Sequence, residues 1–154
     1  MVKEYVAIRR IKNMLNKLNI LNQKIVNNEL WDSDYLKQID IDELLDKREE
    51  AEFDSEWIRV YELAKNNKLT KETELIVNEI RENAFRRIYC ITNSSDLAAY
   101  VSDDFELLCK LYIMKVRDEW LSKFVNVYLQ KRIPCGQLEE VSDDFNKLFN
   151  KLID

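Results

Sequence analysis

With no histidine anywhere in the chain, any chemistry it performs falls to carboxylates, thiols, hydroxyls and amines. Histidine supplies the base of Ser-His-Asp and Cys-His systems and a common metal-binding nitrogen, so those sites are excluded. Its absence also removes the usual pH switch. Carboxylates could still hold magnesium, which takes hard oxygen ligands and keeps several waters, so acids one turn apart on facing helices would suffice. Two sets have that spacing: Glu49-Glu50 followed by Asp54, and Glu79 followed three residues later by Glu82. In a chain with 29 acids, such pairs also arise as ordinary solvated helix faces.

Locally, these sets resemble the Glu-Glu-x-x-Glu and Glu-x-x-Asp motifs of all-helical nucleoside-triphosphate pyrophosphatases of the MazG type. Asp54 lies one residue beyond the third Glu of the first motif, and Glu82 replaces the Asp of the second. The resemblance implies a Mg²⁺-dependent nucleotide hydrolase using only carboxylates, with Glu49, Glu50, Asp54, Glu79 and Glu82 as the metal ligands.

The three cysteines, Cys90, Cys109 and Cys135, are widely spaced and form no CxxC pair, which disfavours structural zinc. Cys90 and Cys109 fall within apolar helical patterns, where cysteine acts as a small hydrophobe. Cys135, between the only proline and the only glycine, is the thiol expected to be accessible. Phosphate-cradling loops need several glycines, so Walker and dinucleotide-type sites are excluded. No cofactor is implied. Arg9-Arg10, Lys12 and Arg86-Arg87 are local basic spots, but a net charge of −5 disfavours nucleic acid.

Residues 28–57 carry twelve acids against Lys37, Lys47 and Arg48, a net −9, whereas residues 1–27 carry six bases against Glu4, a net +5. One account lays the two segments side by side with complementary rims, each exposed pair contributing about 0–1 kcal/mol. The other makes the acidic segment a docking surface. It also contains Leu30, Trp31, Tyr35, Phe53 and Trp57, and aromatic anchors among acids suit a basic, partly apolar protein partner. Trp31, Asp34, Tyr35, Asp42 and Glu43 are the candidate contacts.

The elements that would position these residues are helical throughout. The fold class is all-α, a single-domain bundle of about six to eight helices. With 154 residues, 46% hydrophobic, the chain can bury a core without disulfide or metal. A long basic helix spans about 3–27, where Ala7, Ile11, Met14, Leu18, Leu21 and Ile25 form a heptad seam through which a homodimer could pair over residues 7–25. Short helices follow near 32–38 and 42–52, within the acidic stretch 28–57. The central helices, over 58–133, begin with one capped by Asp54 or Ser55. A helix over 71–92 is capped by Thr70, and Ser95 caps a short one carrying Leu97, Ala98 and Tyr100. The segment 118–132, apolar over a wide arc, is expected at the centre of the core. Val101-Ser102-Asp103-Asp104-Phe105 recurs as Val141-Ser142-Asp143-Asp144-Phe145, which reads as two helix starts capped by Ser102 and Ser142. The second opens a C-terminal helix within 137–154.

Charges interrupt every apolar run, so no membrane span is expected, and the N-terminus has no signal-peptide pattern. The expected location is the cytoplasm with reduced thiols. The leading functional reading is a non-catalytic protein-binding or regulatory module, of the kind that an adaptor or a toxin-neutralising immunity protein represents. The carboxylate hydrolase is the alternative.

Overall fold

The computed structural model describes residues 1–154 as eight helices with no strand: α1 (Val2–Val26), α2 (Ser33–Gln38), α3 (Ile41–Glu49), α4 (Ala51–Ala64), α5 (Lys71–Thr92), α6 (Ser95–Ile113), α7 (Glu119–Leu129) and α8 (Phe145–Ile153). Capping explains most of the starts. Asp32, Asp40, Thr70, Ser94, Asp118 and Asp144 each accept a hydrogen bond from a backbone N–H of the following turn. Helix α4 begins at Ala51, earlier than the Asp54 or Ser55 cap predicts, and Glu50 precedes it without a side-chain cap. A chain short of glycine ends its helices on other residues. Asn28 follows α1 and Asn93 follows α5, both at φ 58°, in the left-handed region that asparagine tolerates best among residues with a side chain.

Helices α5 and α6, joined by the Asn93–Ser94 turn, form the most extensive interface. Helix α1 lies on α5, α8 packs on α7 and α1, and α4 leans on α6. Centrality belongs to α6 rather than to the 118–132 segment. Eleven residues of α6 are buried, including Leu97, Val101, Phe105, Leu108 and Leu111, whereas α7 buries five. Helix α6 runs through the first copy of the repeated pentapeptide, because Val101, Phe105 and Leu108 continue the apolar spacing of Leu97 and Ala98. Ser102 is therefore mid-helix, its hydroxyl donating to the Arg81 carbonyl at 2.8 Å. In the second copy the preceding residues are irregular, and Asp144, not Ser142, caps α8.

The heptad seam of α1 divides in two. Leu18, Leu21 and Ile25 are fully buried within the bundle, so that half of the 7–25 seam is intramolecular and unavailable to a second copy. Residues 1–13 are exposed throughout, including Tyr5, Val6, Ile8 and Ile11, because the helix overhangs the body it packs on.

Candidate protein-binding surface

The acidic segment turns its charges outward and its apolar residues inward. Leu30, Trp31, Leu36, Leu44 and Phe53 are buried. Trp31 is only 3% exposed and meets Phe105 edge-on at 5.5 Å between centroids, so it anchors the segment to α6 and is no surface contact. Tyr35 is half-buried, with the Arg132 guanidinium 5.5 Å from its ring centroid, and its hydroxyl accepts a bond from the Ile133 N–H at 3.4 Å. Asp34, Asp42 and Glu43 are exposed. Asp42, Asp46 and Glu49 fall four and three residues apart, so they form one stripe along α3, opposite Leu44 and Arg48. Glu50 and Asp54 extend the exposed acids onto α4.

These acids do not pair with the basic first helix. Of the twelve, only Glu43 and Glu56 form an ion pair, with Lys47 at 3.2 Å and Arg59 at 2.6 Å, and no ion pair joins residues 1–27 to residues 28–57. The side-by-side arrangement is thus overturned: α1 lies against α5 and α8, leaving the acidic helices elsewhere on the bundle. Asp32 and Asp40 are occupied as caps. The apolar anchors that sequence reasoning missed lie just beyond the acids. Ile58 and Tyr61 on α4 are 49% and 44% exposed, with Trp57 stacked on Tyr61 at 5.5 Å. Their exposure follows from the α4 phase, which turns Phe53, Val60 and Ala64 inward.

The proposed metal ligands do not converge. Glu49, Glu50 and Asp54 belong to the exposed α3–α4 rim, while Glu79 and Glu82 are on α5, the latter paired with Arg86 at 2.5 Å. No group of three or more carboxylates or thiols approaches metal-binding geometry anywhere in the chain. Two of the thiols differ from expectation, while Cys109 is in the core as its apolar helical pattern implies. Cys90 is the exposed one and Cys135 is half-buried. Burial pushes the Cys135 thiol up, despite Lys47 and Arg48 nearby, which is opposite to what a nucleophile needs. Of the basic spots, Arg86 is taken by Glu82, and Arg87 donates to the Val26 carbonyl.

Beneath the acidic surface is a buried polar cluster with no pattern in the sequence to announce it. Arg48 of α3 and Asp104 of α6 are 4% and 0% exposed. Arg48 donates to both Asp104 oxygens, at 2.6 and 2.9 Å, and to the Pro134 carbonyl at 3.0 Å. Asp104 also accepts from the Trp57 indole at 2.9 Å and the Tyr128 hydroxyl at 2.5 Å. The guanidinium rests 4.7 Å from the Phe53 ring centroid and 5.3 Å from that of Tyr100. Burial works against the Arg48 charge, but the Asp104 charge and hydrogen bonds offset it, so Arg48 holds its proton more tightly than usual. Four hydrogen bonds to one carboxylate tie α3, α4 and α7 to α6, and Arg48 joins the Pro134 loop to the cluster through the Pro134 carbonyl. That fixes the acidic helices on the core while removing their one buried base from the surface charge.

The geometry, then, is a net-acidic exterior with apolar residues beside it, on a rigidly clamped support, without a convergent catalytic or metal constellation. No curated protein matches the chain. A family model described as Immunity protein PIM1 does match, over residues 20–135, from the buried half of α1 through the acidic helices and their clamp to the Pro134 loop. That match covers most of the sequence, and the chain belongs to the immunity protein PIM1 family.

Proposed function

We propose that this protein neutralises a toxin by binding it, using the acidic α2–α4 face against a basic surface of that toxin, without catalysis of its own. Family membership supports a protein partner. The charge of that partner is carried by one observation: ten exposed or capping acids between Glu29 and Asp54 have no ion pair within the molecule. An uncompensated acidic surface raises the local potential, steers a basic partner inward, and opposes acidic ones. Ile58 and Tyr61 offer apolar area at the border of that field, where an anchor can be desolvated while the acids form the rim. The free thiols suit action in the cytoplasm, where such groups stay reduced.

The test is protection of cells that express polypeptide toxins encoded by neighbouring genes. The wild-type chain is expected to restore growth and to co-purify with one of them. The Asp34→Lys/Asp42→Lys/Glu43→Lys variant should lose at least about tenfold in affinity, each desolvated charge contact being worth about 1–3 kcal/mol. Protection that survives this reversal, in a variant with unchanged helix content, would show that the acidic face is not the binding surface.

A further inference from the structure

The overhanging half of α1 is one wall of a groove whose chemistry is the reverse of the acidic face. The opposite wall comprises the end of α6, the residues after it and the start of α8, and the space between measures about 780 Å³. Ile11 and Met14 of α1, with Tyr112 and Ile113 of α6, make the apolar lining. Arg10 and Lys17 stand on one side, Lys115 and Arg117 on the other. None of these four cations is in an ion pair, although the chain forms a dozen such pairs elsewhere. The only acid lining the groove, Asp144, uses one oxygen to accept from the Lys147 N–H as the cap of α8.

The spacing of α1 makes this arrangement. Lys3, Arg10, Lys17 and Lys24 recur every seven residues, a basic row beside the apolar seam. Where the seam is covered, Lys17 reaches Asn150 at 3.4 Å and Lys24 donates to the Asp154 carbonyl. Where it is uncovered, Arg10 has no partner and Ile11 is 37% exposed. Residues 1–19 and α8 also fall outside the matched 20–135, so most of the lining belongs to this chain's own flanks.

We propose that this groove binds an acidic, amphipathic peptide segment of the protein partner, a second point of attachment separate from the acidic face. The proposal rests on the reading of the chain as a protein-binding module. Four unpaired cations around an apolar floor select a segment carrying carboxylates on either side of apolar anchors. Nucleic acid would satisfy the cations but offers nothing to the floor. An anionic membrane presents a broad flat surface, which does not enter the space between the two walls as a peptide segment does. A second copy pairing symmetrically through the same groove would bring a matching basic α1, and like charges oppose that arrangement.

The probe is a fluorescein-labelled helical peptide of about fifteen residues, with glutamates flanking leucines at i, i+3, i+4 and i+7. Controls are the same peptide with lysine for glutamate, the same peptide with serine for leucine, phosphatidylserine vesicles and random duplex DNA. Anisotropy is expected to show saturable binding of the acidic amphipathic peptide alone. Affinity should fall at least about tenfold in Arg10→Glu/Arg117→Glu and in Ile11→Glu, each with unchanged circular dichroism. The Asp34→Lys/Asp42→Lys/Glu43→Lys variant should bind the peptide no more weakly than wild type does. Equal binding of the serine peptide, undiminished binding by the groove variants, preference for vesicles or DNA, or a dimer in sedimentation that Ile11→Glu dissolves would each overturn the proposal. Because toxin protection is scored separately with the acidic-face variant, loss of the groove would leave the acidic-face reading standing, and the reverse.

Discussion

Replacing Asp104 with alanine would leave the Arg48 guanidinium buried with no counter-charge and strip Trp57 and Tyr128 of their acceptor. Breaking a buried pair in this way costs about 3–5 kcal/mol, readable as a fall in the urea midpoint. The double variant Arg48→Met/Asp104→Leu removes both charges and should be less destabilised than Asp104→Ala. A second expectation concerns alkaline pH. Burial, reinforced by the Asp104 charge, holds the Tyr128 hydroxyl well above its ordinary value of 10.0, and burial does the same to the Cys109 thiol relative to 9.0. The unfolded chain therefore releases these protons at a pH where the folded chain keeps them. Their contribution to stability is complete below about pH 9 and is lost as pH rises further, so urea midpoints should decline between about pH 9 and about pH 11. Tyr128→Phe should lessen that slope. At this scale the sequence was only partly legible. Trp31 among acids looks the same whether it faces a partner or Phe105, because composition carries no direction. Arg48 and Asp104 are 56 residues apart, and their pairing exists only once α3 meets α6.

Helix α1 contains two different physical objects in one continuous pattern. Leu21→Ala, deep in the bundle, should cost about 2–5 kcal/mol in urea unfolding, through lost burial and the cavity left behind. Removal of residues 1–12, all of them exposed, should cost about 1 kcal/mol or less, since little apolar area returns to water. The seam, the α5 boundaries and the Thr70 cap follow from spacing and capping chemistry, which act within a few residues. Where the bundle ends along α1 depends on the length of α5 and the position of α8, and nothing in the heptad shows it. The duplicated pentapeptide makes the same point. Val-Ser-Asp-Asp-Phe is helix interior at 101–105 and helix approach at 141–145, because apolar residues continue the helical stripe before the first copy and the irregular Pro134–Glu140 segment precedes the second.

Across the whole molecule, the +5 of the first 27 residues and the −9 of the next thirty remain apart. On the proposed reading of the acidic face, association with a basic toxin should be steered by charge. Its rate constant in stopped-flow is expected to fall about tenfold or more as salt rises from about 0.05 to about 0.5 M, with the dissociation rate changing far less. A rate insensitive to salt would argue that apolar contact, centred on Ile58 and Tyr61, dominates the encounter. The all-helical class was legible because scarce glycine and a dominant helical period act everywhere along the chain. The position of the acidic face was not, because ion pairs across the fold depend on which helices meet. The separation of clamp from surface has a consequence for how such proteins diversify. Asp34, Asp42, Asp46 and Glu49 are exposed and form no ion pair, so substitutions there should alter stability by no more than about 1 kcal/mol, most at Asp34 and Asp42 in the first turns of α2 and α3. If the acidic face is the toxin-binding surface proposed above, its lettering can be rewritten one residue at a time without passing through an unfolded ancestor.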